Sequence, residues 1–403
     1  MESVIIPIVK DKKGDLESKD NYRPIALTTV LSKLFEILIL NRHQCLLQTT
    51  DNQFGFKKKH STDMCVYAFK QVIEYYKSNS SPVYICFLDA SKAFDRVNHS
   101  LLLKKLLKRN VPCIIVRTLF FWFTKQCFFV KWDSSLSDAF NVTCGVRQGG
   151  ILSPIMFNVY VNCLSDKLRS IKRGCYINSV CFNHLIYADD TVLLAPSPRA
   201  LQALIDECVT FAVDHDLIFN MKKTKSLCIR PGNMKKLYVP EFSLGQSNIR
   251  VVTEETYLGF IINDSITDDD HIVKEMRSLY ARGNMLIRNF VHCTDDVKIK
   301  LFKSFCNSLY CCPLWYNYRK YNIKKLHVAS NKVFKALMKV PSYSSASTLF
   351  AVCNVPNFLV LRRKLVYGLR CRVQASSNEL IDTLANELSV ANAMHTFWND
   401  TLY

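Results

Sequence analysis

Residues 185–194 read Leu-Ile-Tyr-Ala-Asp-Asp-Thr-Val-Leu-Leu, two short apolar runs that meet at a pair of acids. Runs of this length, rich in β-branched and aromatic residues, predict two strands with Asp189 and Asp190 at the tip of a hairpin. Asp is common in turns, so the pair alone fits an ordinary polar turn as well as a functional one. Acids held between apolar strands are costly unless cations neutralise them. A second run, Val83–Leu88, is apolar throughout, suits a strand buried on both faces, and ends in Asp89. Carboxylates where buried strands surface suit a pair of divalent cations about 3.5–4 Å apart, which activate a hydroxyl and stabilise a leaving phosphate oxygen. Asp89 and Asp189 are the candidates to bridge such a pair.

Between these acids lies Gly145-Val-Arg-Gln-Gly-Gly-Ile-Leu-Ser-Pro154. Its glycines let backbone approach a ligand, and Ser153 and Pro154 predict the N-cap and first residue of a helix. The spacing of Val30, Leu31, Leu34, Phe35, Leu38 and Ile39 predicts a helix whose apolar face packs inward. A second helix starts at Ser197-Pro198 and carries Leu201, Leu204, Ile205, Cys208 and Val209 on one face, suited to backing a sheet. Helices on one side of a largely antiparallel sheet make an α+β fold. After Glu255 the chain turns helical. Residues 271–290 carry Arg277, Arg282 and Arg288, and residues 301–340 interleave lysines with aromatics. For any single one of these arginines a solvated helix face is a simpler reading than a nucleic-acid contact. Ser342–Ser347 predicts a loop, and residues 348–403 read as helical without a functional signal.

With 53 Lys and Arg against 34 Asp and Glu, the chain carries a formal charge of +19, which favours a polyanionic partner. The excess runs from Lys10 to Arg370, as a long groove requires, and binding through such a groove is strongly salt-dependent. The longest apolar stretch, Cys113–Phe123, is interrupted by Arg117 and falls short of the roughly 20 residues of a membrane helix. No membrane partner is expected, and without a basic leader at the N-terminus the expectation is nuclear or cytoplasmic. The 17 cysteines include no Cys-x-x-Cys pair, which predicts buried free thiols. His292, Cys293, Cys306, Cys311 and Cys312 have poor spacing for zinc and predict core.

Taken in order, the segments resemble the reverse transcriptases of non-LTR (LINE-type) retrotransposons, most closely the jockey-like branch. The resemblance rests on Ile5–Lys10, Asn21–Leu27, Gln53–Lys57 with Ser61-Thr62, Phe87–Asp95, the Gln148 loop, Tyr187–Asp190, Phe219–Lys225 and Tyr257–Phe260. The Leu301–Trp315 segment resembles the family's thumb. It implies an α+β right-hand polymerase with fingers (1–82), an antiparallel-sheet palm (83–262) holding an inserted fingers segment (about 101–140), a helical thumb (263–340) and a C-terminal helical extension (341–403).

It also implies roles. Asp89, Asp189 and Asp190 become the acidic triad for two Mg²⁺ ions, with Mn²⁺ as an alternative, helped by the backbone carbonyl next to Asp89. Phe94 becomes the aromatic that excludes a 2′-hydroxyl, which selects dNTPs over ribonucleotides. Asp95 falls one residue past the position where RNA polymerases carry an acid, and a one-residue shift on a strand turns a side chain to the other face, so a structural contact is expected. Lys10 and Arg23 grip the triphosphate, Gln148 contacts nucleotide or template, and Lys223 or Lys225 protonates departing pyrophosphate. Lys57, Arg277, Arg282 and Arg288 face nucleic acid, an RNA template paired with a DNA primer. Lys57 stands where relatives carry Arg, at the loss of a bidentate phosphate contact. Arg147-Gln148 and Gly150 stand where many relatives carry Pro-Gln and Ser. Met1 falls just before the first fingers motif, so the expected extent is the polymerase region without the endonuclease that related elements encode ahead of it. Two other readings stay open: an inactive nucleic-acid-binding remnant, and an RNA-dependent RNA polymerase, which Phe94 and Tyr187-Ala188 disfavour.

Overall fold

The Val83–Leu88 run and the two runs that flank Asp189-Asp190 form strands, as predicted, among others in the computed structural model, which describes residues 2–234, 238–387 and 393–402. Glu2–Val9 (β1) and Tyr22–Thr28 (β2) lead, followed by Val83–Leu88 (β3), every residue of which is buried. Cys127–Trp132 (β4) precedes the short Ser135–Leu136 (β5) and Phe140–Asn141 (β6). Tyr176–Ile177 (β7) and Val180–Cys181 (β8) pair just before His184–Tyr187 (β9) and Asp190–Ala195 (β10). Lys225–Ile229 (β11), Phe242–Leu244 (β12), Ser247–Val251 (β13), Glu254–Tyr257 (β14) and Phe260–Asn263 (β15) complete the strands.

The chain divides into two compact units, one of Met1–His60, Tyr84–Ser226 and Val239–Val251, the other of Ser61–Val83, Leu227–Tyr238 and Val252–Tyr403. In the first, β2-β1-β4-β5 form a sheet with β6 beside β4; the larger sheet runs β12-β13-β11-β3-β10-β9 and belongs to it except for Val83 of β3 and Leu227–Ile229 of β11. Its pairs β3–β10, β9–β10 and β12–β13 are antiparallel, and β11–β13 is parallel. Helices Val30–His43 (α1), His99–Lys108 (α3), Cys113–Thr124 (α4), Ser153–Ser170 (α5) and Pro198–Asp214 (α6) belong to this unit. Helix α6 packs on β10 and β12, and of the face its spacing predicts Leu201, Leu204, Ile205 and Cys208 are buried and Val209 is half-buried. The α+β class follows from the sequence: strands buried on a face need helices to cover it.

Helix α1 corrects one expectation. Of its six predicted packing residues only Ile39 is buried, while Val30, Leu31 and Leu38 are 73%, 78% and 66% exposed. The inward face carries Ser32 and Glu36 instead. Glu36 sets this rotation: its Oε1 pairs with Arg147 Nη2 at 2.7 Å, and its Oε2 accepts from the Ile151 and Leu152 amides at 2.5 and 3.0 Å. Arg147 also lies over the Trp122 ring, 5.0 Å from its centroid. A charge so buried must stay paired. The same contact corrects the α5 start, where Ser153 is inside the helix and Glu36 satisfies the amides just ahead of it.

The second unit holds Thr62–Ser78 (α2), the β14–β15 hairpin, Asp269–Asn289 (α7), Asp295–Phe305 (α8), Lys320–Leu337 (α9), Ala346–Val352 (α10), Phe358–Gln374 (α11), Glu379–Glu387 (α12) and Ala393–Leu402 (α13). A buried ion pair, Lys70 to Asp268 at 2.5 Å, sits near its centre, and Asp268 also accepts from the Tyr316 and Asn317 amides at 2.9 Å. The C-terminal helices join this core: Trp398 Nε1 donates to the Pro313 carbonyl at 2.7 Å, and Arg372 pairs with Asp63 at 2.6 Å. Among the described residues the cysteines form no disulfide; Cys86 and Cys208 are buried thiols and Cys163 is half-buried. Among the described residues no helix is long and apolar enough to cross a membrane.

The α1 orientation makes an unequal pair of substitutions. Glu36→Ala, which strands a buried guanidinium, is expected to cost about 3 kcal/mol or more in urea unfolding, whereas Leu34→Ser should stay within about 0.5 kcal/mol. The apolar pattern read alone demands the reverse order.

Candidate active site

The β9–β10 hairpin pairs Tyr187 with Asp190 across its turn, leaving Ala188 and Asp189 at the tip. On the other side of β10, Thr191 pairs with Leu88 of β3, so the register carried one step further sets Asp190 across from Asp89. Directly opposed residues in an antiparallel pair lie about 4.5–5.5 Å apart at Cβ. The three acids gather at one end of the sheet because β3 and β10 are adjacent, although Asp89 lies far from Asp189 and Asp190 in sequence.

The chain just beyond β3 is pinned by the segment before β11. Asn220 N–H donates to the Asp89 carbonyl at 2.7 Å, and Ser91 N–H donates to the Ile218 carbonyl at 2.8 Å. The same segment brings Lys223 Nζ to 3.5 Å from Asp89. Burial raises the pKa of Asp189, and the Asp89 charge raises it further, against the pull of Lys223 and Arg23. Asp190 is pushed up to about 6, first by burial and then by Asp189 and Asp89. Among the described residues no three acidic, histidine or cysteine side chains close around one point as a ready-made ion site. The carboxylates are close enough to repel one another, and their oxygens are the hard donors that Mg²⁺ and Mn²⁺ favour.

Phe94 follows on a short turn and stacks on Phe157 of α5, with centroids 4.6 Å apart and planes 13° apart. Phe56 meets Phe94 edge-on at 6.3 Å. Asp95 makes the structural contact expected of it: Oδ1 accepts from Gln148 Nε2 at 3.0 Å. The Gln148 loop is tied in turn to β2, whose Ala26 N–H donates to the Gln148 carbonyl at 2.7 Å. Gly149 permits this approach: its φ is +115°, and a Cβ there would stand 2.7 Å from the Ala26 carbonyl oxygen.

The remaining candidates divide. Arg23 is exposed on β2 across from Ile8, and its charge reaches Asp189. Lys10 Nζ donates to the Asp20 carbonyl at 2.8 Å. Lys225 opens β11 in register with Arg250, so Lys223 is the lysine beside the acids. Lys57 turns inward, donating to the Thr49 and Thr50 carbonyls at 3.0 and 2.7 Å, and burial lowers its pKa. Arg277, Arg282 and Arg288 lie on α7 of the second unit; Arg277 and Arg288 are exposed, and Arg282 donates to Ser308 at 2.7 Å. Glu36 and Phe157 carried no signal in the sequence beyond residue type, and Phe56, inside the Gln53–Lys57 motif, gave no hint of Phe94, because their partners lie far along the chain.

An acid whose folded-state pKa lies above its ordinary value contributes stability below that ordinary value and loses it as pH rises through the folded one. Without divalent cation, thermal stability should therefore fall as pH rises from the ordinary 3.8 of Asp190 through about 6. Added Mn²⁺ should raise the melting temperature more above that window than below it, and Asp190→Asn should reduce both effects, as differential scanning fluorimetry can read.

Residues 10–262 match the family model described as reverse transcriptase (RNA-dependent DNA polymerase). A probable RNA-directed DNA polymerase from transposon BS of Drosophila melanogaster is 26% identical over 88% of this chain and 40% of its own length. The RNA-directed DNA polymerase from mobile element jockey of Drosophila funebris is 25% identical over 96% of this chain and 42% of its own. The chain thus spans about two fifths of the length of these relatives. The chain belongs to the reverse transcriptase (RNA-dependent DNA polymerase) family, with relatives among the jockey-like non-LTR retrotransposon polymerases.

Proposed function

We propose that the chain is an RNA-directed DNA polymerase that extends a DNA primer on an RNA template from dNTPs. The observation that carries this reading is the convergence of Asp89, Asp189 and Asp190 at the β3 and β9–β10 ends, beside the stacked Phe94 and the anchored Gln148. Asp89, Asp189 and Asp190 would hold two divalent cations, Mg²⁺ or Mn²⁺, which when bound favour attack by the primer 3′-hydroxyl and stabilise the departing pyrophosphate. Phe94, fixed against Phe157, fills the space beside the incoming sugar and excludes a 2′-hydroxyl. Arg23 and Lys10 hold the triphosphate, with a fork and a point charge respectively. Lys223, on an exposed stem beside Asp89, delivers a proton to the leaving group. The β1–β2 sheet acts as fingers, the six-stranded sheet as palm, and α7 with the helices that follow as thumb, where Arg277, Arg282 and Arg288 meet the duplex backbone.

Primer extension on an RNA template with Mg²⁺ and dNTPs tests this. Wild type is expected to extend, and Asp189→Ala to lose at least about 100-fold, the scale of removing one group that stabilises developing charge, with primer–template binding retained. Binding without extension by wild type points instead to a nucleic-acid-binding remnant. Phe94→Ala should relax discrimination against ribonucleotides by roughly 10-fold or more; unchanged sugar selection removes Phe94 from the gate.

A further inference from the structure

The segment Asn52–Gly55 lies along β9, outside the named strands. Ile186 N–H donates to the Asn52 carbonyl and Phe54 N–H to the Ile186 carbonyl, both at 2.8 Å, and Asn52 Nδ2 donates to the His184 carbonyl at 2.8 Å. This strap reaches the hairpin tip at Gln53, whose Oε1 accepts from Ala188 N–H at 3.0 Å and from Gly55 N–H at 2.8 Å. One oxygen thus joins the strap to the turn that presents Asp189.

That turn needs holding. Ala188 has φ +59°, in the left-handed region that a residue with a Cβ seldom adopts, and its amide is buried with Gln53 as its acceptor. Gly55 is pressed against it so closely that a Cβ there would stand 2.4 Å from the Ala188 nitrogen. Gln53 is itself 2% exposed, and its Nε2 has no hydrogen-bond partner.

We propose that Gln53 is a positioning residue, which fixes the Ala188-Asp189 turn through its Oε1 and so sets the placement of the Asp189 and Asp190 carboxylates for divalent cations. The proposal rests on the reading of those acids as the metal-binding pair. Groups that orient metal ligands change affinity or activity about 10–100-fold when removed.

The test is Mn²⁺ titration, followed by electron paramagnetic resonance, of wild type, Gln53→Met, Gln53→Glu and Asp189→Ala, with circular dichroism to establish folding. Gln53→Met, equal in length but without an acceptor, should weaken Mn²⁺ binding by about 10-fold and lower kcat by a similar factor while KM for dNTP holds within about twofold. Gln53→Glu, which keeps the acceptor oxygen, should bind Mn²⁺ at least as tightly as wild type. A packing role gives the opposite order, because Met suits a buried site and Glu does not. Wild-type Mn²⁺ affinity in folded Gln53→Met, or a 10-fold loss in folded Gln53→Glu, overturns the proposal; where Met does not fold, the Glu variant decides. Undiminished Mn²⁺ binding by Asp189→Ala is a different failure, that of the metal-site reading itself.

Discussion

Three carboxylates at the end of a buried sheet repel one another, and contacts from several segments of the first unit hold them there. Burial and mutual charge push Asp190 up to about 6 and raise Asp189 as well. Such a cluster is unfavourable as a stability device and useful as a cation site, because the energy withheld by burial is returned when positive charge arrives. Lys223 beside Asp89 and Arg23 in the field of Asp189 supply part of that charge from the chain itself.

Holding the acids in place takes contacts from distant segments. Asn220 fixes the backbone after β3, Gln53 fixes the hairpin turn, and Asp95 holds Gln148 while Ala26 holds its carbonyl. Glu36 does the same for the start of α5, by pairing with Arg147 and accepting two amides. Each is a polar contact partly or wholly shielded from water, where a hydrogen bond is strong and an unpaired group is costly.

Legibility in the sequence followed the kind of force involved. The β3 run, the acid hairpin and the buried face of α6 were readable because apolar burial has a period that a single segment reveals. The inward face of α1 was not, since five large apolar side chains outvote one glutamate until Arg147, from another segment, comes to meet it. Ser153 misled in the same way: its type suits an N-cap, yet the helix has begun by Ser153, and Glu36 takes the Ile151 and Leu152 amides just ahead of it. Lys57 read as a phosphate contact, and the Thr49 and Thr50 carbonyls turn it inward. Gln53 stood within a motif but gave no hint of a partner at Ala188.

Whether Asp89, Asp189 and Asp190 form one cation site can be read on the polypeptide itself, with Fe²⁺ in place of Mg²⁺. With ascorbate and peroxide, bound iron cuts the backbone near its ligands. Cuts are expected close to Asp89 and to Asp189-Asp190 together, suppressed by excess Mg²⁺ and lost in Asp189→Ala. Cuts at only one of the two segments, or cuts elsewhere that Mg²⁺ suppresses, would contradict a single shared site.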